Sequence, residues 1–240
     1  MSTAGFWDGL YAAAQDGWDL GGPAPALEDW LAAGRWFEME PERNVRGGGS
    51  GLSADGGSAG AISGPPQMKS LKKETVVGPR SAPRVAVPGA GRGHDARLLA
   101  RHGYRVTAFD FADSAVAEAR RLAAAEGVDV AIEQRDVFTL GHDYAGAFDG
   151  VWEYTCFCAI DPARREEYVH VLHTILRPGG LLLACFFPLR EGGDGPPFPV
   201  SRADIDRALA GRFTVLRAGP PGRSADRRQN LEWLVEARRT

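Results

Sequence analysis

The stretch "RVAVPGAGRGHD", Arg84 to Asp95, sets a short apolar strand directly before a turn with glycine at positions 89, 91 and 93. A helix start follows at His94 and Asp95. Glycine lets backbone approach a ligand closely, and the first turn of a helix offers free N–H groups to it. A dinucleotide-binding turn wants G-x-G-x-x-G. Counted from Gly89, the third glycine belongs at 94, where the chain has His94, so the run is G-x-G-x-G. On its own this pattern also fits a tight strand-to-helix turn that holds nothing.

The residues after the turn narrow the reading. "HDARLLARHG" is a helix closed by Gly103, and "YRVTAFDF" is a second strand ending at Asp110. An acid about 20 residues past such a turn accepts the ribose hydroxyls of an adenosine. Both NAD and S-adenosylmethionine carry that ribose. Ser114 is placed to cap "AVAEARRLAAAEG", whose apolar positions recur at helical spacing. "VDVAIEQRDV" supplies a third strand and "FDGVWEYTCFC" a fourth. Asp161 and Pro162 open the next helix as cap and first-turn proline, with Tyr168, Leu172 and Ile175 on one face. "GGLLLACFFP" lacks alternation, as a strand covered on both faces does. Ser201 caps "RADIDRALAG", and "RFTVLRAG" and "LEWLVEARR" form two strands in succession. Such alternation predicts an α/β fold, doubly wound around a mostly parallel sheet, with an antiparallel pair at one edge.

The residues before Arg84 differ in character. Residues 1–40 read as helical and aromatic, with a helix over Pro25 to Ala33 closed by Gly34. Residues 41–83 include "RGGGSGLSADGGSAGAISGPP", which has too few large apolar groups to offset the entropy of ordering. They read as a flexible linker or insertion, with a basic cluster at Lys69, Lys72 and Lys73 on a solvated stretch. The third zone, 84–240, is the catalytic or binding core. The formal net charge of -3 argues against an extended nucleic-acid groove. Three cysteines without framework spacing point to reduced thiols and a cytoplasmic setting. No secretory signal and no apolar run of about 20 residues is evident. Neither Cys156 and Cys158 nor the histidines at 94, 102, 142, 170 and 173 have ligand spacing, so no metal is expected.

"LRPGGLLLACFF", Leu176 to Phe187, with the closing strand pair, resembles class I S-adenosylmethionine-dependent methyltransferases over almost all of 84–240. The resemblance implies a seven-stranded Rossmann-like sheet whose last strand is inserted antiparallel. "FDGVWEYTCFCAIDP", Phe148 to Pro162, is similar to the thiopurine methyltransferase superfamily, above all its thiol and halide branch. "GPPFPVS", Gly195 to Ser201, resembles that superfamily's loop near the substrate pocket, and "FWDGLYAAAQDGWDLGGPAP" its N-terminal helical lid over the cofactor. The family links these parts more briefly than residues 41–83 do here. Its thiopurine-specific members carry arginine where this chain has Tyr154.

The resemblance implies S-adenosyl-L-methionine as cofactor, held by Trp7, Tyr11, Trp18, Gly89, Gly91, Asp110, Asp136, Val137 and Tyr154. An aromatic face attracts a sulfonium cation and excludes water. Trp30 and Trp233 read as core. The expected reaction is in-line methyl transfer to a small thiol, hydrosulfide or halide, with Tyr154 orienting the nucleophile as the catalytic residue. Glu153 is expected to bind the cofactor or a backbone group, and Arg190 and Arg202 to lie on the surface. The expected partner is a small-molecule substrate, without nucleic acid or membrane, and the protein is expected to be a monomer. Other readings are an N- or O-methyltransferase, a non-catalytic nucleotide-binding module and an NAD oxidoreductase. His94 and "LRPGG" disfavour the last of these.

Overall fold

The computed structural model describes residues 3–13, 15–35 and 82–240. The glycine-rich zone and its three lysines lie outside the described residues, apart from Pro83 and Ala82 at its end.

Two helices come first, α1 over Ala4–Ala12 and α2 over Pro25–Ala32. The core then alternates: β1 Arg84–Pro88, α3 His94–Arg101, β2 Arg105–Asp110, α4 Asp113–Ala125 and β3 Ala131–Gln134. It continues with α5 Leu140–Asp143, β4 Phe148–Tyr154, α6 Arg165–Ile175 and β5 Leu176–Phe186. The last elements are α7 Arg202–Leu209, β6 Phe213–Gly219 and β7 Trp233–Arg239. The seven strands form one sheet in the order β3-β2-β1-β4-β5-β7-β6. β1 to β5 run parallel, and β7 lies antiparallel between β5 and β6. This is the Rossmann-like arrangement expected, with the antiparallel pair at one edge.

Strand side chains alternate between two cores. Ala86, Val151, Leu182 and Ala184 face the core that α6 and α7 close with Tyr168, Leu172, Ile175 and Leu209. Val85, Val87, Leu181 and Leu183 face the opposite core, which takes in Leu27 and Trp30 of α2 and Leu99 of α3. Trp30 therefore packs in a core. Trp233 is half-buried beneath the Arg202 guanidinium, 3.2 Å from its ring centre.

Three local details differ from the sequence reading. Ser114 is not the cap of α4: that helix starts at Asp113 after Ala112, whose own N–H is taken by Asp110 at 3.0 Å. β4 stops at Tyr154, because Thr155 takes a left-handed backbone (φ 66) and turns the chain out of the sheet. Cys156 and Cys158 thus sit past the strand. The Pro-Gly-Gly turn is absorbed into β5, whose register against β4 shifts between Phe148 and Gly150. Ser201 does cap α7, in a reciprocal capping box with Asp204. Asp161 accepts from the Ala163 N–H at 3.0 Å, opening a 3₁₀ turn ahead of α6.

Candidate active site

The carboxyl ends of β1, β2 and β4 open into one cavity, as expected at the switch point of an α/β sheet. Trp7, Tyr11, Trp18, Gly89, Gly91, Asp110, Asp136, Val137 and Tyr154 all line it. These residues lie up to 147 positions apart in the sequence, and the fold gathers them around one cavity.

The N-terminal segment supplies an aromatic cluster. Trp7 and Trp18 meet edge to face at 5.0 Å, and Tyr11 and Trp18 at 5.4 Å. The Trp18 indole N–H donates to the Tyr11 hydroxyl at 3.4 Å. Burial, followed by the charge of Asp110, raises the Tyr11 pKa, so Tyr11 stays a neutral phenol. This segment is tied to the glycine turn by ions. Arg92 reaches Asp16 at 2.5 Å and Asp19 at 2.9 Å, and His94 lies 3.2 Å from Asp19. Burial opposes the Asp19 carboxylate, but bonds from His94 and the Gly21 N–H, with the charges of His94 and Arg92, hold it down to about 2.

The turn itself is tightly enclosed. Gly89 has φ +61, and a Cβ there would lie 2.7 Å from the Cys156 sulfur. Asp110 at the end of β2 accepts from the Gly91 N–H at 2.8 Å and from the Ala112 N–H. Burial pushes its carboxyl up, while the backbone N–H groups of Ala112, Gly91 and Phe111 pull it down. Asp136 caps the 3₁₀ turn Val137–Thr139 through the Phe138 N–H at 3.0 Å, and Val137 presents an apolar edge beside it.

Tyr154 closes the opposite wall. Its hydroxyl donates to Glu232 at 2.6 Å, and the Arg228 guanidinium lies 4.9 Å from its ring centre. Burial is the main cause that raises the Tyr154 pKa far above its ordinary value. Glu153, its neighbour, points the other way, to the Phe157 N–H at 2.7 Å, so it takes the backbone role. Burial pushes the Glu153 carboxyl up to about 8. Pro197 brings the loop 195–201 to the cavity, and the Phe198 N–H anchors that loop on the Cys158 carbonyl at 2.7 Å. Arg190 is exposed and donates to the Pro197 carbonyl, and Arg202 stays on the Trp233 ring.

Cys156 and Cys158 line the cavity as free, buried thiols. Burial raises both, Cys158 to about 12, which leaves them unreactive. No group of His, Cys, Asp and Glu able to hold a metal occurs among the described residues. No helix among them is long and apolar enough to cross a membrane.

Four further residues shape the site and were missed from the sequence. Asp19 is the ionic anchor described above. Asp95, at the start of α3, accepts from the Ala24 N–H and the Trp152 indole, each at 2.7 Å, and joins the N-terminal segment to the sheet. Arg228 and Glu232 are 1% and 2% exposed behind Tyr154. "WDLGG" after Trp18 was a usable hint for Asp19. Nothing local marks Arg228 and Glu232, because an Arg–Glu pair four apart in a polar loop reads as solvated.

The family model described as thiopurine S-methyltransferase matches residues 65–239. Thiocyanate methyltransferase 1 of Arabidopsis thaliana is 30% identical over 128 residues, which is 52% of this chain and 56% of that protein. The chain thus spans about half the length of that relative. The thiopurine S-methyltransferase of Shewanella loihica is 30% identical over 173 residues, 64% of this chain and 79% of that protein. Among solved structures, the Burkholderia thailandensis 1,6-didemethyltoxoflavin-N1-methyltransferase with bound S-adenosylhomocysteine aligns with a TM-score of 0.54 at 26% identity. That alignment covers 66% of this chain and 72% of the other. The seven-stranded sheet with its inserted antiparallel strand and the match over 65–239 agree, and the chain belongs to the thiopurine S-methyltransferase family.

Proposed function

We propose that this protein transfers a methyl group from S-adenosylmethionine to a small nucleophile, a thiol, hydrosulfide or halide, by in-line displacement. One observation carries the reading: a single cavity joins the glycine turn and Asp110 to the aromatic cluster of the N-terminal segment and to Tyr154.

The residues present fit the donor. Gly91 has φ +53, and a Cβ there would crowd the Tyr11 hydroxyl at 3.1 Å, so glycine suits this close approach of the turn to the ring. Asp110 is a half-buried carboxyl group facing the cavity, matched to a pair of ribose hydroxyls. Trp7 and Trp18 offer aromatic surface to a cation. When bound, S-adenosylmethionine supplies an electrophilic methyl group on a positively charged sulfur. The chain's own residues position and desolvate the pair. Asp110 and the 89–93 turn fix the nucleoside and amino-acid ends, and Asp136 and Val137 flank the base. Trp7, Tyr11 and Trp18 exclude water, while Tyr154 orients the acceptor on the far side. Alignment of this kind is worth about 7–11 kcal/mol of a barrier when reacting atoms meet in line.

The small-nucleophile reading rests on Tyr154 and on relatives named for thiocyanate and thiopurine. At Tyr154 the cavity wall carries a phenol that burial keeps neutral. The test is methyl transfer from S-adenosylmethionine to iodide, bromide, hydrosulfide, thiocyanate, a small alkyl thiol and a thiopurine, with volatile products read in headspace. Product from the inorganic and alkyl acceptors, with little from the thiopurine, is expected. Tight donor binding without product from any of them moves the acceptor to nitrogen or oxygen. Absence of donor binding overturns the assignment of the glycine turn.

A further inference from the structure

Behind the cavity wall lies a buried polar cluster that methyl positioning alone does not use. Tyr154 lines the cavity, and its hydroxyl donates a hydrogen bond to Glu232 Oε1 at 2.6 Å. Glu232 is 2% exposed, and its second oxygen, Oε2, is buried without a hydrogen-bond partner. Arg228, 1% exposed, lies 3.9 Å from Glu232 Oε1 and donates to the Trp18 carbonyl at 2.5 Å. Its guanidinium is sandwiched against the rings of Tyr154 and Phe187, at 4.9 and 4.5 Å.

A buried carboxylate with one open oxygen is costly to keep. A core that needed only shape at this position would be served by apolar residues at least as well. The arrangement does have the form of a proton path. It runs from an acceptor in the cavity, through the Tyr154 hydroxyl, to a carboxylate with an oxygen in reserve.

We propose that Glu232 takes the proton of the methyl acceptor through Tyr154, and that it biases the site toward acceptors with a proton on the attacking atom, thiols and hydrogen sulfide, over halides. This inference rests on the methyl-transfer reading above and names the acceptor class within it. A cysteine-like thiol with a pKa of about 8.5 is only a few per cent ionised near neutrality, and a simple alkyl thiol is ionised less still. As its sulfur bonds to the methyl carbon, the S–H bond becomes strongly acidic, so a carboxylate is base enough to receive the proton. The acceptor sulfur's lone pair makes the new S–C bond. The old bond from the methyl carbon to the donor sulfur breaks, with its electron pair left on that sulfur. The acceptor proton passes to Tyr154 Oη as the Tyr154 proton passes to Glu232 Oε1, and it leaves to solvent after product release. Iodide brings no proton and gains nothing from the path.

The charged and titratable groups facing Glu232 are Arg228 from its own loop, Tyr154 from β4 and Cys185 from β5, with Asp95 of α3 acting on Arg228. Arg228 is the cation beside the Glu232 carboxyl group, and the Cys185 thiol is pushed up by burial and stays uncharged. Glu232 acts through Tyr154 and is a positioning residue in this scheme.

The experiment compares ethanethiol and iodide on the full chain with S-adenosylmethionine, for the native protein, E232Q and Y154F. Thermal melts and donor-binding calorimetry accompany each variant. In both variants kcat/KM for ethanethiol is expected to fall at least tenfold further than kcat/KM for iodide. The remaining thiol rate is expected to climb with pH toward the ionisation of the free thiol, while E232D restores part of it. The native protein is expected to show a solvent deuterium isotope effect with ethanethiol and none with iodide, a readout that needs no variant. Parallel losses on the two acceptors, or an isotope effect that does not distinguish them, overturn the relay while leaving methyl transfer standing. Absence of product from the native protein with both acceptors overturns the two readings together.

Discussion

Asp8 in α1 holds the start of α4 from 106 positions away, accepting from the Ser114 backbone N–H at 3.0 Å and from its hydroxyl at 2.6 Å. These bonds hold the Asp8 carboxyl below its ordinary value. The cap of α4 is therefore borrowed from the segment that carries Trp7 and Tyr11 into the cavity. Loss of such a cap costs about 1 kcal/mol. D8A is expected to lower stability by that order and to weaken donor affinity several-fold, with α1 less firmly docked. Calorimetric titration with S-adenosylhomocysteine checks the second effect, and S114A is expected to reproduce part of it.

Asp110 joins two tasks, since it orders the Gly91 N–H and faces the cavity. D110A is expected to reduce donor affinity at least tenfold while the protein remains folded. Unchanged affinity in the same titration would remove Asp110 from the donor site.

Gly89 tests the packing of the turn. Its Cβ would meet both the Cys156 sulfur, at 2.7 Å, and the Cys156 Cβ, at 2.8 Å, on a backbone with φ +61. G89A is expected to cost roughly 1–3 kcal/mol and to abolish donor binding. C156A in addition is not expected to rescue it, because the Cβ contact remains. Chemical denaturation of the single and double variants measures the outcome.

Glu153 gives stability a pH dependence of definite sign. Burial pushes its carboxyl up to about 8 in the folded protein, above its ordinary 4.5, so the folded protein keeps a proton that the unfolded chain releases. The resulting stabilisation is complete below about pH 4.5 and is lost as the pH rises through 8. E153Q is expected to flatten this slope, by an amount on the order of a few kcal/mol across the window. Melting temperatures from pH 5 to about pH 8.5 provide the comparison.

Local chemistry made much of this fold legible. The apolar run before Gly89, the Ser201–Asp204 box and the unbroken "LLLACFF" each carry their structure within a few residues. Ser114 misled because its place before an apolar run imitates a cap, while the true partner is Asp8. β4 read too long because Thr155 is an unremarkable strand residue whose left-handed backbone is imposed by the chain's turn over the cavity. The nine proposed donor residues rest largely on resemblance, and their convergence follows from the sheet topology. Arg228 and Glu232 escaped notice for a physical reason: the dry surroundings that give them their role come from Trp18, Tyr154 and Phe187, which lie far away in sequence.

The placement of β7 has a consequence for biosynthesis. This strand leaves the ribosome after the other six, yet it occupies an interior position between β5 and β6. Until it emerges, β5 presents a bare hydrogen-bonding edge and β6 has no neighbour to join. Bare edges invite pairing with other chains. The nascent protein must therefore keep this sheet open until β7 has emerged to fill the gap between β5 and β6.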